Sequence, residues 1–284
     1  MKLTILLTLG YRRAYERAAS WLRKTHWGSL FLGLPVESEP FVESYAEEKV
    51  DEKEFWSTIT LLTGFAEPFI NSLRLRFQPI LDCIRDMYAG GRAIHCFQDL
   101  MSYVEERKIS EKIFLLEFRH RATERLDLKA WKDTLLEEMA TSGDSWRRAS
   151  DRIIEEAEET AGNIILYGGY LESIEQLKRP NNEVEIMLLE EYWKSPLDIL
   201  RTILSKHGFD NVPDREIERY LELHKRYLDL VIKSKNVDEA HEEWTQTVRK
   251  YAQMEHRTLA GAEAYRVLKN TSSIVIARNR AKRK

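Results

Sequence analysis

Leu3-Thr4-Ile5-Leu6-Leu7-Thr8-Leu9 is an unbroken run of apolar and β-favouring side chains that stops at Gly10. A strand with one wet face alternates polar and apolar residues, whereas a run without alternation is covered on both faces. Directly behind it Tyr15, Ala18, Ala19 and Leu22 recur at helical spacing. Residues 29–34 then form a second apolar run, stopped by Pro35. A doubly covered strand, a helix and a second such strand with short connections make a parallel crossover unit. This unit restricts the chain to the α/β class, a mainly parallel central sheet with helices on both faces. The same reading makes residues 3–9 and 29–34 parallel neighbours.

Further elements follow the same punctuation. Residues 41–88 are helix-patterned with breaks near Gly64 and Pro68, and Gly90-Gly91 closes them. Residues 92–97 predict a third strand. A long charged helical region covers 110–160, with an expected interruption at Ser142-Gly143. Residues 163–167 predict a fourth strand, ended by the Gly168-Gly169 turn, and 183–189 a fifth whose alternation leaves one side polar. From Ser195 the pattern is helical, punctuated by Gly208 and Pro213. The division expected is therefore an α/β domain over 1–194 and a helical C-terminal extension over 195–284.

Balanced charge narrows the function classes. The net charge of -3 in 284 residues does not mark a nucleic-acid binder as a whole. A local basic patch remains possible, and the last residues, with Arg278, Arg280, Lys282, Arg283 and Lys284, form a basic tail. That tail reads either as a solvated terminus or as a nucleic-acid or protein contact. Cys83 and Cys96 are too few for a four-cysteine zinc site or a disulfide framework, and they fit two buried thiols in a reducing, cytoplasmic setting. No run approaches the about 20 apolar residues of a membrane helix. Abundant Glu, Lys and Arg point to a thermophilic source.

The glycine turns hold the candidate site. Ligands of α/β sheets bind beyond the carboxyl ends of the strands. At the first turn, Gly10-Tyr11-Arg12-Arg13 lacks the further glycines of a dinucleotide fingerprint and the Lys of a phosphate loop. Arg12 and Arg13 either hold an anion with the backbone N–H groups of the helix start or are solvated surface charges. At the second turn, Gly168-Gly169-Tyr170 repeats the layout, so Tyr11 and Tyr170 either face a common cleft or plug the sheet end. Asp99, directly after the third strand, is a site acid or a helix N-cap. Arg147 or Arg148 is expected at the rim of the cleft, while Glu37 and Glu39 are weaker candidates. The seven histidines show no His-Glu-x-x-His spacing, and no nucleophile elbow is present.

The order Thr8-Leu9-Gly10-Tyr11, Leu30-Phe31-Leu32-Gly33, Asp99-Leu100, Trp146-Arg147-Arg148 and Tyr167-Gly168-Gly169-Tyr170 resembles the Tiki/TraB-like superfamily. Its families include Tiki proteases, TraB/PrgY proteins, ChaN-like haem-uptake proteins and erythromycin-esterase-like enzymes. They place Gly-x-x-His after the first and last strands, a glutamate after the second and Asp-Arg after a later one, with an arginine on the following helix. The resemblance covers about residues 1–195. At its metal-binding and catalytic positions this chain has Tyr11, Tyr170 and Gly33 instead of two histidines and a glutamate. Neutral tyrosine is a poor ligand for a catalytic divalent metal. The resemblance thus implies the fold, no metal and no cofactor, and it argues against metal-dependent hydrolysis.

Three functions fit these residues. The first is a non-catalytic or metal-independent protein of this group, binding an anionic ligand or a protein partner at the sheet's carboxyl edge through Tyr11, Arg12, Arg13, Asp99, Arg147, Arg148 and Tyr170. The second is a divergent hydrolase using Glu37, Asp99 and the tyrosines. The third is an adaptor that contacts nucleic acid or protein through its helical region and basic tail.

Overall fold

A computed structural model of the chain describes residues 1–8, 10–88, 91–159, 162–168, 174, 176–189, 194–255 and 274–276, with side chains up to 248. The central sheet contains β1 (Lys2–Leu7), β2 (Ser29–Pro35), β3 (Ala93–Gln98), β4 (Asn163–Tyr167), β5 (Glu183–Leu188) and β6 (Ile274–Ile276). Their order is β3-β2-β4-β1-β5-β6, and every pairing is parallel. The α/β class and the helical C-terminal part agree with the sequence reading.

One expectation is corrected. The first two strands share a sheet but are not neighbours, because β4 lies between them: Ile165 is in register with Ile5 on one side and Phe31 on the other. Runs buried on both faces show that a strand is central, but they do not say which strand lies beside it.

Alternation within each strand sorts side chains onto two cores. One face carries Leu6, Leu30, Leu32, Ile94, Cys96, Ile164 and Leu166. It is covered by α1 (Arg12–Leu22), α2 (Glu39–Ala46), α3 (Glu52–Thr63) and α4 (Glu67–Met87). The other face carries Leu3, Ile5, Phe31, Phe97, Ile165 and Tyr167, with Ile174 and Leu177 beside them. Trp146, Ala149 and Ile153 near the end of α6 (Leu128–Glu156) cover it. α6 runs unbroken through Ser142-Gly143, contrary to the expected interruption there. A mid-helix glycine costs about 1 kcal/mol relative to Ala, which the burial of Trp146 outweighs. The real break, at residues 124–127, follows Glu124 in the left-handed region at φ 56°.

A third core is entirely helical. Ile109, Ile113 and Leu116 of α5 (Leu100–Thr123) meet Trp131 and Leu135 of α6. Leu197, Leu200 and Leu204 of α7 (Pro196–His207) and Ile217 and Leu221 of α8 (Asp214–Lys233) complete it. The helical region after Ser195 therefore packs on the hairpin between β3 and β4. α9 (Val237–Glu255) follows α8. No helix among the described residues is long and apolar enough to cross a membrane.

The β3 edge is blocked by charge. Glu39 accepts the Cys96 backbone N–H at 2.7 Å, and Arg152 Nε donates to the Cys96 carbonyl at 3.0 Å. These two side chains occupy backbone groups that would otherwise pair with another chain.

Candidate functional site at the carboxyl edge of the sheet

The connections leave the sheet in opposite directions at two adjacent strands. After β1 the chain passes to the face covered by α1, and after β4 to the opposite face, where Ile174 and Leu177 pack. Such a reversal opens a crevice between the two strand ends, the usual ligand position in open α/β sheets. Gly10 and Gly168 follow the two strand ends. The strand ends approach closely: Thr8 N–H donates to the Tyr167 carbonyl at 2.9 Å, and a Cβ at Gly168 would lie 3.0 Å from the Thr8 carbonyl oxygen. Only glycine fits there without displacing backbone.

A cleft of about 330 Å³ opens beside Gly10 and Tyr11. α5 contributes Ser110 and Glu117 to its wall, α7 Asp198 and Arg201, α8 His224 and Tyr227, and α9 His241. Tyr11 is buried, with its ring stacked on His241 at 4.7 Å between centroids. Glu117 Oε1 lies 2.7 Å from His224 Nε2. Arg201 donates to both carboxylate oxygens of Glu138, at 2.6 and 2.8 Å, and to Asp198 at 2.9 Å. Burial pushes the Asp198 carboxyl up, but the Arg201 guanidinium and the Ser195 hydroxyl outweigh it and leave it below the ordinary range.

The residues singled out from sequence separate into three groups. Tyr11 lines the cleft. Arg12 and Arg13 flank it, but their charges are matched within the chain: Arg12 pairs with Glu16 at 2.7 Å and Arg13 with Glu242 at 3.2 Å. The first helical turn already holds a carboxylate, since Arg13 N–H donates to Asp238 Oδ1 at 3.0 Å. The anion anticipated at this helix start is thus a side chain of α9.

Asp99 caps α5, accepting from Ser102 N–H at 2.9 Å and from its hydroxyl at 2.6 Å. These two bonds, with Arg148 at 3.8 Å, hold its carboxyl low. Arg148 also bonds the Ser102 hydroxyl, so Asp99 and Arg148 form one cluster at the end of β3. That cluster does not line the cleft. Arg147 points to solvent beside Asp144, and Glu37 is exposed on the turn after β2. Gly33 lies inside β2, not at its end. Tyr170 and the tail residues Arg278, Arg280, Lys282, Arg283 and Lys284 lie outside the described residues.

Sequence reading missed His224, His241, Glu117, Asp198 and Arg201. The available signal was a histidine on the otherwise apolar face of α8, where Ile217 and Leu221 are buried. Among the described residues no three His, Cys, Asp or Glu side chains are grouped to hold a metal ion. No protein family, curated protein or solved structure matches this chain.

The His241 contact predicts a pH response. Burial pulls its imidazole below 6.5, with Asp238 and Asp198 opposing. A depressed folded value means that the stacked state is favoured above 6.5 and loses stability as the pH falls through that range. Acidification from pH 7 to 5 should lower the hydrogen-exchange protection factors of the Arg13 amide and of α9, each taken relative to the intrinsic exchange rate at that pH. His241→Phe should remove the response; an unchanged response would place it elsewhere.

Proposed function

We propose that this chain is a metal-independent protein that binds a small anionic ligand in the crevice at the carboxyl edge of its sheet. The observation that carries this reading is the reversal of connections between β1 and β4, with a cleft opening beside Gly10 and Tyr11. Membership of the Tiki/TraB-like group belongs to the same proposal, supported by strand-turn-helix order at Gly10 and by the acid after β3. So does a reducing, cytoplasmic setting, supported by Cys83 and Cys96 as separate buried thiols.

A thermal-shift panel of carboxylates, phosphate monoesters and neutral analogues tests the ligand reading. Saturation near one hundred times Kd should raise Tm by about 5 °C. Gly10→Val should abolish the rise without changing the unliganded Tm, because a Cβ there meets only Arg76 Nη1, at an ordinary 3.6 Å. No stabilising compound, or full stabilisation in Gly10→Val, would refute it.

A protein partner is the second reading. Phe114, Leu115 and Phe118 are each at least 60% exposed on α5. Three large apolar groups so close on one helix exceed the scattered exposure of an ordinary surface.

A further inference from the structure

We infer that the ligand of the cleft beside Tyr11 carries an apolar ring, which is held at the mouth by Phe114 and Val237. This rests on the ligand reading above and names the part of the ligand that the cleft selects.

The lining of the cleft is divided between satisfied charge and uncovered apolar surface. Its charged side chains are matched within the chain: Glu117 Oε1 lies 2.7 Å from His224 Nε2, and Arg201 is shared by Glu138 and Asp198. The side chains of Glu117, His224, Arg201 and Asp198 are at most 29% exposed. Phe114 and Val237 also line the cleft, yet they are 62% and 46% exposed. They come from different elements, Phe114 from α5 and Val237 from the start of α9, and meet at this one opening. Phe118 makes the contrast: it is 63% exposed on the same helix but does not line the cleft.

Covering apolar surface is favourable in proportion to its area, whereas a charge that already has its partner gains little from a new one. The ring of the ligand therefore supplies more of the affinity than its anionic head. Fixed aromatic walls suit a flat group. Tyr11 is held by its stack on His241 at 4.7 Å, and Tyr227 by its edge-on contact with Trp244 at 5.4 Å. Aromatic pairs favour such offset and edge-on arrangements. At about 330 Å³ the cleft is at the small end of small-molecule sites, which fits one ring on a short chain.

The test is calorimetric titration of the full chain with three probes, propanoate, phenylpropanoate and the neutral phenylpropanol. Phenylpropanoate should bind about tenfold or more tightly than propanoate. Phe114→Ser should weaken phenylpropanoate about fivefold while leaving propanoate binding and the unliganded Tm unchanged, because its ring is already mostly in water. Phe118→Ser should leave all three affinities unchanged. Equal affinity for propanoate and phenylpropanoate would overturn the inference. So would equal losses in Phe114→Ser and Phe118→Ser, which would mean general adhesion to α5. If phenylpropanol binds as tightly as phenylpropanoate and Phe114→Ser weakens both, this inference stands and the anionic reading falls. If propanoate binds, is lost in Gly10→Val and gains nothing from the ring, the anionic reading survives and this inference falls. If no probe binds, both fall.

Discussion

Replacing Arg201 by Met should cost about 3–5 kcal/mol of stability and lower Tm by about 6–15 °C. Arg201 and Glu138 are 15% and 13% exposed, and their two short bonds are joined by the Asp198 contact. Removing the guanidinium leaves the Glu138 and Asp198 carboxylates without their shared partner in a largely buried site between α6 and α7. The loss comes chiefly from that stranded charge. Arg201→Met combined with Glu138→Leu should therefore lose less than the two single losses added together, by about 1–3 kcal/mol. The wild-type Asp198 carboxyl is held low, so its contribution is present above pH 4 and disappears as the pH falls through its folded value. In Arg201→Met the chief opposing charge is gone and burial is countered only by the Ser195 hydroxyl and His224, so the gap between the proteins should narrow on acidification. Chemical denaturation across pH 3–7 measures this. A loss below 1 kcal/mol at pH 7 would show that the network is solvated.

Trp146→Ala is the second large effect, with an expected cost of about 3–5 kcal/mol. Trp146 is buried, its ring 4.3 Å from that of Tyr167 and edge-on to Phe97 at 5.9 Å. It joins α6 to the last residues of β3 and β4, and Tyr167 directly precedes the Gly168 turn. Trp146→Phe keeps most of the apolar contact and should recover more than half of the loss. Denaturation midpoints of the two variants decide this: equal losses would mean that ring size, and not burial, sets the stability.

Much of the fold was legible because its strands are unambiguous. The run before Gly10 and the Ile164-Ile165-Leu166 run are apolar on both faces, which requires a central position under two helical layers. Asp99 was legible as one of two things, and the structure gives it the cap. Strand order was not legible. Leu6 pairs with Leu166 and Leu30 with Ile164, and interchangeable aliphatics carry no label for their partner. Ser142-Gly143 misled because local propensity is a weak term beside the burial of Trp146 on the next turn.

The site was legible where it is local and hidden where it is assembled. The Gly10-Tyr11 turn was found because a strand-glycine-helix junction is a local pattern. Residues that face Tyr11 come from far along the chain, His224 through its bond to Glu117 and His241 through its ring. A lone histidine at each position has no spacing signature. The charge at Arg13 was visible, but its partners Asp238 and Glu242 lie 225 and 229 residues away. Long-range neutralisation of this kind is set by how α9 docks, and only the structure shows it.

The proposed ligand site is the crevice at the carboxyl edge of the sheet, beside Gly10 and Tyr11. Amide hydrogen exchange, measured with and without the most stabilising compound of the panel, tests it most directly. Protection is predicted at residues 8–14 and 164–168, and it should be lost in Gly10→Val. Protection confined to the exposed face of α5, or none at either strand end, would contradict it.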